Sequence, residues 1–249
     1  MMILLRLITF LFLISPILKA RGNDSIGKPH ARLPKTLEIA IPATMVAYGV
    51  ASLGSKYLKE RDLAFRDLLI KNKSLWRDSW DDYTQFAPAV AAFSMKLSGM
   101  PSVHRLQDMC VLYALSNALG TSVVLVTKEV TDRQRPNDSN RHSFPSGHTA
   151  IAFIAAEFLH QEYGDRSVWI SIGGYGMASL VGLSRIYRNK HWLSDVIAGA
   201  GTGILATKMV YLSYPFLKKT FGGKNKKRQT VVFPAYENGN LTLGFSCGF

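Results

Sequence analysis

Apolar residues fall into six runs divided by short polar stretches, and the arrangement predicts an all-α, antiparallel bundle of about six helices. Segment one covers about 37–52. Residues 55–82 mix charges with Leu58, Leu63, Phe65, Leu68, Leu69 and Trp76, as an amphipathic interfacial helix or connector would. Segment two, about 83–100, is interrupted by Pro88 and Lys96. Segment three, 109–127, is uncharged and long enough to cross a bilayer. A polar loop at 128–145 follows. Segments four (about 148–160) and five (about 168–183) flank a Tyr163-Gly164-Asp165 turn. Segment six, 192–214, contains Gly199-x3-Gly203, a spacing that lets helices approach closely.

The two ends differ from this middle. Residues 1–20 carry Arg6, an apolar stretch and Ala20 before Arg21, as a signal peptide or an uncleaved signal anchor would. Residues 21–36 are a polar lead-in. Residues 218–228 hold six cations and no acid, a run suited to an anionic leaflet. Beyond it Leu241, Leu243, Phe245, Cys247 and Phe249 alternate after Asn238-Gly239-Asn240, which predicts a small β-hairpin in a tail spanning 218–249. The helical domain itself is placed at 37–217.

Composition narrows the partner. The chain is 47% hydrophobic and 19% charged with a net charge of +13, which suits an anionic partner. Its basic residues sit mostly at the ends of apolar segments, not on one polar face with interleaved aromatics, and this argues against nucleic acid. Cys110 and Cys247 build neither a disulfide framework nor a zinc site.

Three polar clusters lie where apolar segments end or begin: Lys128-x6-Arg135-Pro136, Pro145-Ser146-Gly147-His148, and Ser184-Arg185-x5-His191-x3-Asp195. In an antiparallel bundle these places share one end. His191 and Asp195 are four apart and stack on one helix face. Either Asp195 serves the helix dipole, or it accepts the imidazole N–H and leaves the other nitrogen nucleophilic. Ser146 is a plain N-cap or, with Gly147, part of an anion cradle, with His148 placed to protonate a leaving oxygen. Lys128, Arg135 and Arg185 either snorkel to headgroups or surround one phosphate. A metal site at His142, His148, His191 and Asp195 is disfavoured by these cations and by the ligand spacing. Arg133, Arg141, Arg188 and Lys190 could serve a headgroup with more than one phosphate or be solvated loop charges.

Together the motifs resemble the type 2 phosphatidic acid phosphatase superfamily, matched at every motif position from Lys128 to about residue 205. The F-P-S-G-H-T-A and R-N-K-H-W-L-S-D stretches are similar to bacterial lipid A phosphatases, in particular the 4′-phosphatase branch. The resemblance implies a phosphatase of a phosphorylated membrane lipid that needs no metal or other cofactor. By it, His191 attacks phosphorus to form a phosphohistidine, Asp195 orients it, and His148 is the proton donor. Lys128, Arg135, Ser146, Gly147 and Arg185 hold the phosphate oxygens. Lipid A is the expected substrate. A polyprenyl pyrophosphate, phosphatidylglycerol phosphate, a soluble periplasmic acid phosphatase activity and vanadium-dependent halide oxidation are the alternatives. None of these motifs encodes an oligomeric state. An inner-membrane protein with its site facing the periplasm needs an even number of crossings before Lys128, which is met if segment two does not span; a soluble periplasmic bundle is the alternative.

Overall fold

The computed structural model describes residues 34–70, 80–221, 230–237 and 240–247. The expected signal segment, most of the lead-in, residues 222–228 of the basic run, and Asn238-Gly239 of the expected turn lie outside them. Contacts divide the chain into a unit through Tyr211 and a second from Leu212 onward.

Among the described residues the chain forms eight helices: α1 (Lys35–Gly54), α2 (Lys56–Ile70), α3 (Asp81–Thr84), α4 (Ala87–Leu97), α5 (Leu106–Thr131), α6 (Gly147–Tyr163), α7 (Val168–Tyr187) and α8 (Leu193–Phe221). In the second unit the strands β1 (Thr230–Glu237) and β2 (Asn240–Cys247) pair antiparallel, Glu237 opposite Asn240.

Local chemistry sets the ends that matter for the site. α5 stops where Asp132 turns left-handed (φ 43°) and its N–H reaches the Lys128 carbonyl. α7 starts at Ser167, whose side chain accepts from the Trp169 N–H. Pro88 falls in the first turn of α4, where its missing N–H costs nothing. At eleven residues, α4 is about 16 Å long. That is too short for a bilayer core, so segment two does not form a spanning helix. Among the described residues, three helices are long and apolar enough to cross a membrane: α1, α5 and α8 over Thr36–Gly54, Leu106–Thr131 and Leu193–Lys219. α1 and α5 turn Leu37, Ile39, Ile41, Leu119, Val123 and Val126 outward, an apolar surface that suits lipid.

α6 is the central helix. Twelve of its seventeen residues are buried, and it packs on α7, α4 and α5. One core joins Ala92, Met109, Ala155 and Phe158, and another joins Ala152, Ala156, Ala178 and Ala200. Burial includes charge. Glu157 on α6 accepts from Tyr175 Oη and lies 3.0 Å from Lys208 Nζ, while Glu162 lies 2.9 Å from His104 Nδ1 and accepts from Tyr211 at 2.6 Å. Each buried carboxylate is paired, as burial requires. These pairs fix how α6, α7 and α8 sit against one another.

Gly199 of the glycine pair brings α8 onto the start of α6. A Cβ there would lie 2.5 Å from the Ser146 carbonyl oxygen, a backbone atom that cannot swing away. Gly199→Ala is expected to cost about 1–3 kcal/mol through forced displacement, read as a lower melting temperature in detergent.

Candidate active site

The C-terminal ends of α5 and α7 and the N-terminal starts of α6 and α8 meet at one end of the bundle, so all eight expected residues gather there. His191 is 2% exposed. Its Nδ1 lies 2.7 Å from the Ser143 carbonyl oxygen and 3.7 Å from Asp195 Oδ2. The hydrogen bond therefore goes to the carbonyl, while the carboxylate acts over a longer distance. Because a carbonyl only accepts, the proton must sit on Nδ1, and Nε2 keeps its lone pair. Burial lowers the His191 pKa to about 4 against the raising influence of Asp195, and Lys128 and Arg135 lower it further. The ring is neutral near pH 7.

Asp195 is wholly buried. Its Oδ2 accepts from Ser143 Oγ at 2.5 Å and from the Trp192 N–H at 2.9 Å, and its Oδ1 accepts from Arg133 at 2.7 Å. The Trp192 bond is the backward arm of a capping box that opens α8.

Around this pair stand the cations. Lys128 Nζ donates to the His142 carbonyl at 2.7 Å. Arg135 lies within electrostatic reach of both Arg185 and Asp195. Among the described residues, Arg135 Nε and Arg185 Nε are buried without a hydrogen-bond partner. A buried guanidinium donor left unpaired is costly, and an anion is what would satisfy it. Ser146 does not cap α6 through its side chain; its Oγ instead receives Thr149 Oγ1 at 2.8 Å and its N–H reaches the Asp195 carbonyl at 3.0 Å. At Gly147 an added Cβ would meet only Val124 Cγ1 at 3.6 Å, so protein packing does not demand glycine there.

His148 has a carboxylate of its own. Its Nε2 lies 2.9 Å from Asp82 Oδ1, which is also 3.5 Å from Arg185 Nη1. That oxygen marks where this cationic site holds negative charge. Burial and Arg185 lower the His148 pKa, while Asp82 and Asp81 oppose them. Asp81, wholly buried, ties Arg185 to Arg188 at 2.5 Å each.

A buried histidine with its tautomer set, a second histidine and three convergent cations invite comparison with known proteins. Residues 106–219 match the model of the PAP2 superfamily. The chain carries a PAP2 superfamily domain. Over 192 residues it is 40% identical to a lipid A 1-phosphatase of Porphyromonas gingivalis, covering 75% of this chain and 41% of that protein. With a lipid A 1-phosphatase of Helicobacter pylori it shares 26% identity over 136 residues, covering 50% of this chain and 65% of that protein. The chain thus spans about two fifths and two thirds of these relatives. The crystal structure of a PAP2-type phosphatidylglycerolphosphate phosphatase from Bacillus subtilis superposes with a TM-score of 0.48 at 20% identity, over 76% of this chain and 98% of that one.

The PAP2 motifs named the centre but not its supports. Of the four extra cations offered for a second phosphate, Arg133 is bound to Asp62 and Asp195, Arg141 to Asp132 at 2.6 Å, and Arg188 to Asp81. Those three are engaged by carboxylates. Asp81 and Asp82 were missed although a carboxylate pair at a polar–apolar junction was a visible signal. Asp62 was missed because it lies among Lys59, Glu60, Arg61, Arg66 and Asp67, where nothing in the sequence sets it apart.

Asp81→Ala is expected to destabilise the fold by about 3–5 kcal/mol, since Arg185 loses its buried partner. Arg185 and Arg188 hold the Asp81 pKa below 3.8 despite burial. Its contribution is therefore fully present above 3.8 and lost as pH falls from there through the lower folded-state pKa. Thermal melts of the wild type and variant should converge in acid.

Proposed function

We propose that this protein is a lipid phosphatase that transfers a phosphoryl group to His191 and then to water, without a metal. The observation that carries the reading is the buried, neutral His191 beside two guanidinium donors with no protein partner. Lys128, Arg135 and Arg185 supply the charge that a metal would otherwise provide to the equatorial oxygens.

In the first step the Nε2 lone pair of His191 attacks phosphorus and the bond to the leaving oxygen breaks. That oxygen takes the proton of His148, displacing Asp82 from it. In the second step His148 removes a proton from water, the hydroxide attacks phosphorus, the P–N bond breaks, and inorganic phosphate leaves with His191 neutral again. Asp195 stabilises the positive charge that His191 carries while phosphorylated.

Lipid A is the substrate that the relatives support, and both are named for the 1-position. This favours the 1-phosphate over the 4′-phosphate that the local sequence stretches suggested. Because three of the extra cations are engaged by carboxylates, they no longer argue for a headgroup with a second phosphate. The outward apolar faces of α1 and α5 favour a membrane-embedded enzyme over a soluble one. The basic run at 218–228, if cytoplasmic, supports a site on the periplasmic side.

Purified protein in detergent should release one phosphate from lipid A, with the 1-phosphate lost by mass spectrometry. His191→Ala should abolish release, and chelators should leave it unchanged. Loss of the 4′-phosphate would reassign the position, and loss of neither would defeat the lipid A reading. In kcat/KM the acid limb should lie near pH 4, where His191 protonates. The alkaline limb should lie below 6.5, where His148 loses its proton.

A further inference from the structure

We infer that Asp62, on a helix outside the PAP2 domain, is a positioning residue for the nucleophile, acting through Arg133 and Ser194 on Asp195. The inference rests on the phosphoryl-transfer reading above and extends it to a residue that no motif contains.

Asp62 is 1% exposed although it sits in the charged helix α2. Its Oδ2 accepts from Arg133 Nη2 at 2.8 Å and from Ser194 Oγ at 2.5 Å, and its Oδ1 accepts from the Ser194 N–H at 2.9 Å. Arg133 then donates from Nη1 to Ser194 Oγ at 2.9 Å, to Ser52 Oγ at 3.2 Å and to Asp195 Oδ1 at 2.7 Å. Thus one planar guanidinium bridges two buried carboxylates, a geometry that lysine could not reproduce.

Two consequences follow. Geometrically, Asp62 fixes the first turn of α8, because it binds Ser194 through both backbone and hydroxyl. Asp195 is the next residue. Electrostatically, Asp62 and Asp195 together exceed Arg133 by one negative charge, and His191 faces that surplus. The other groups facing His191 are Lys128 from α5, Arg135 and the Ser143 carbonyl from the connector, and the Arg185 carbonyl from α7. If Asp62 is neutralised, Arg133 goes wholly to Asp195 and the imidazole loses a stabilising field. A less basic Nε2 is a weaker nucleophile.

A residue that merely capped α8 would give a different result from one that also sets this field. Asp62→Asn retains one acceptor, enough for the Ser194 N–H, and removes the charge. It should lower kcat on lipid A micelles about tenfold, leave KM within about twofold, and move the acid limb to lower pH. Carbon-13 NMR of histidine-labelled full-length protein in detergent, with His191 assigned from His191→Ala, should show its protonation midpoint falling by about half a unit. An unchanged midpoint in a folded Asp62→Asn protein overturns the inference, whatever happens to kcat. If that variant does not fold, Asp62→Ser, which also removes the charge and keeps a hydroxyl acceptor for Ser194, should move the midpoint the same way, and no movement overturns it equally. Should the wild type release no phosphate, the phosphatase reading fails, while the NMR comparison still decides whether Asp62 is coupled to His191.

Discussion

The site end of this bundle is organised by one carboxylate that cannot reach water. A buried carboxylate without partners costs several kcal/mol, and Asp195 has no exposed surface. Its neighbours therefore have to come to it: Arg133 and Ser143 from the connector, the Trp192 N–H from its own helix start, and His191 at longer range. Arg133 in turn has further N–H donors to satisfy, which draws in Asp62 and with it α2. Satisfying one group in this way commits most of the elements that meet at this end. The chemistry and the folding requirement are met by the same set of bonds.

The remainder of the bundle keeps that end in register. α6 runs through the middle and carries His148 at its start and two buried glutamates further along. Glu157 and Glu162 each demand specific partners on other helices, so sliding one helix past another would strand a charge. Gly199 adds a steric condition, since α8 can approach Ser146 only where no side chain intervenes. Polar pairing and close backbone contact thus limit the same motion from different directions.

Much of this was legible in the chain. Lys128, Arg135, His148, Arg185 and His191 could be placed together because each sits at a junction between apolar runs, and antiparallel helices bring alternate junctions to one end. The shortness of α4 was foreshadowed by Pro88 and Lys96. The acceptor for His191 was not legible: four-residue spacing pointed to Asp195, but the nearer acceptor is a backbone carbonyl, which every residue possesses and no side-chain pattern can single out. Asp62 escaped for a related reason. Its helix looks amphipathic and surface-bound by composition, and only the long-range meeting with Arg133 and Ser194 explains why one of its several charges is buried.

Asp82 brings a consequence for turnover. Its carboxylate, partly open to solvent, rests on His148 and Arg185, where an incoming anion would also be drawn. Under the proposed reaction, the site thus carries an internal rival for each oxyanion drawn to it, the spent product included. Ground-state attraction is discounted by the loss of that contact, and departure is helped by its return. In the proposed reaction, a centre this rich in positive charge would otherwise tend to clog on inorganic phosphate; a resident carboxylate would be a means of keeping it clear.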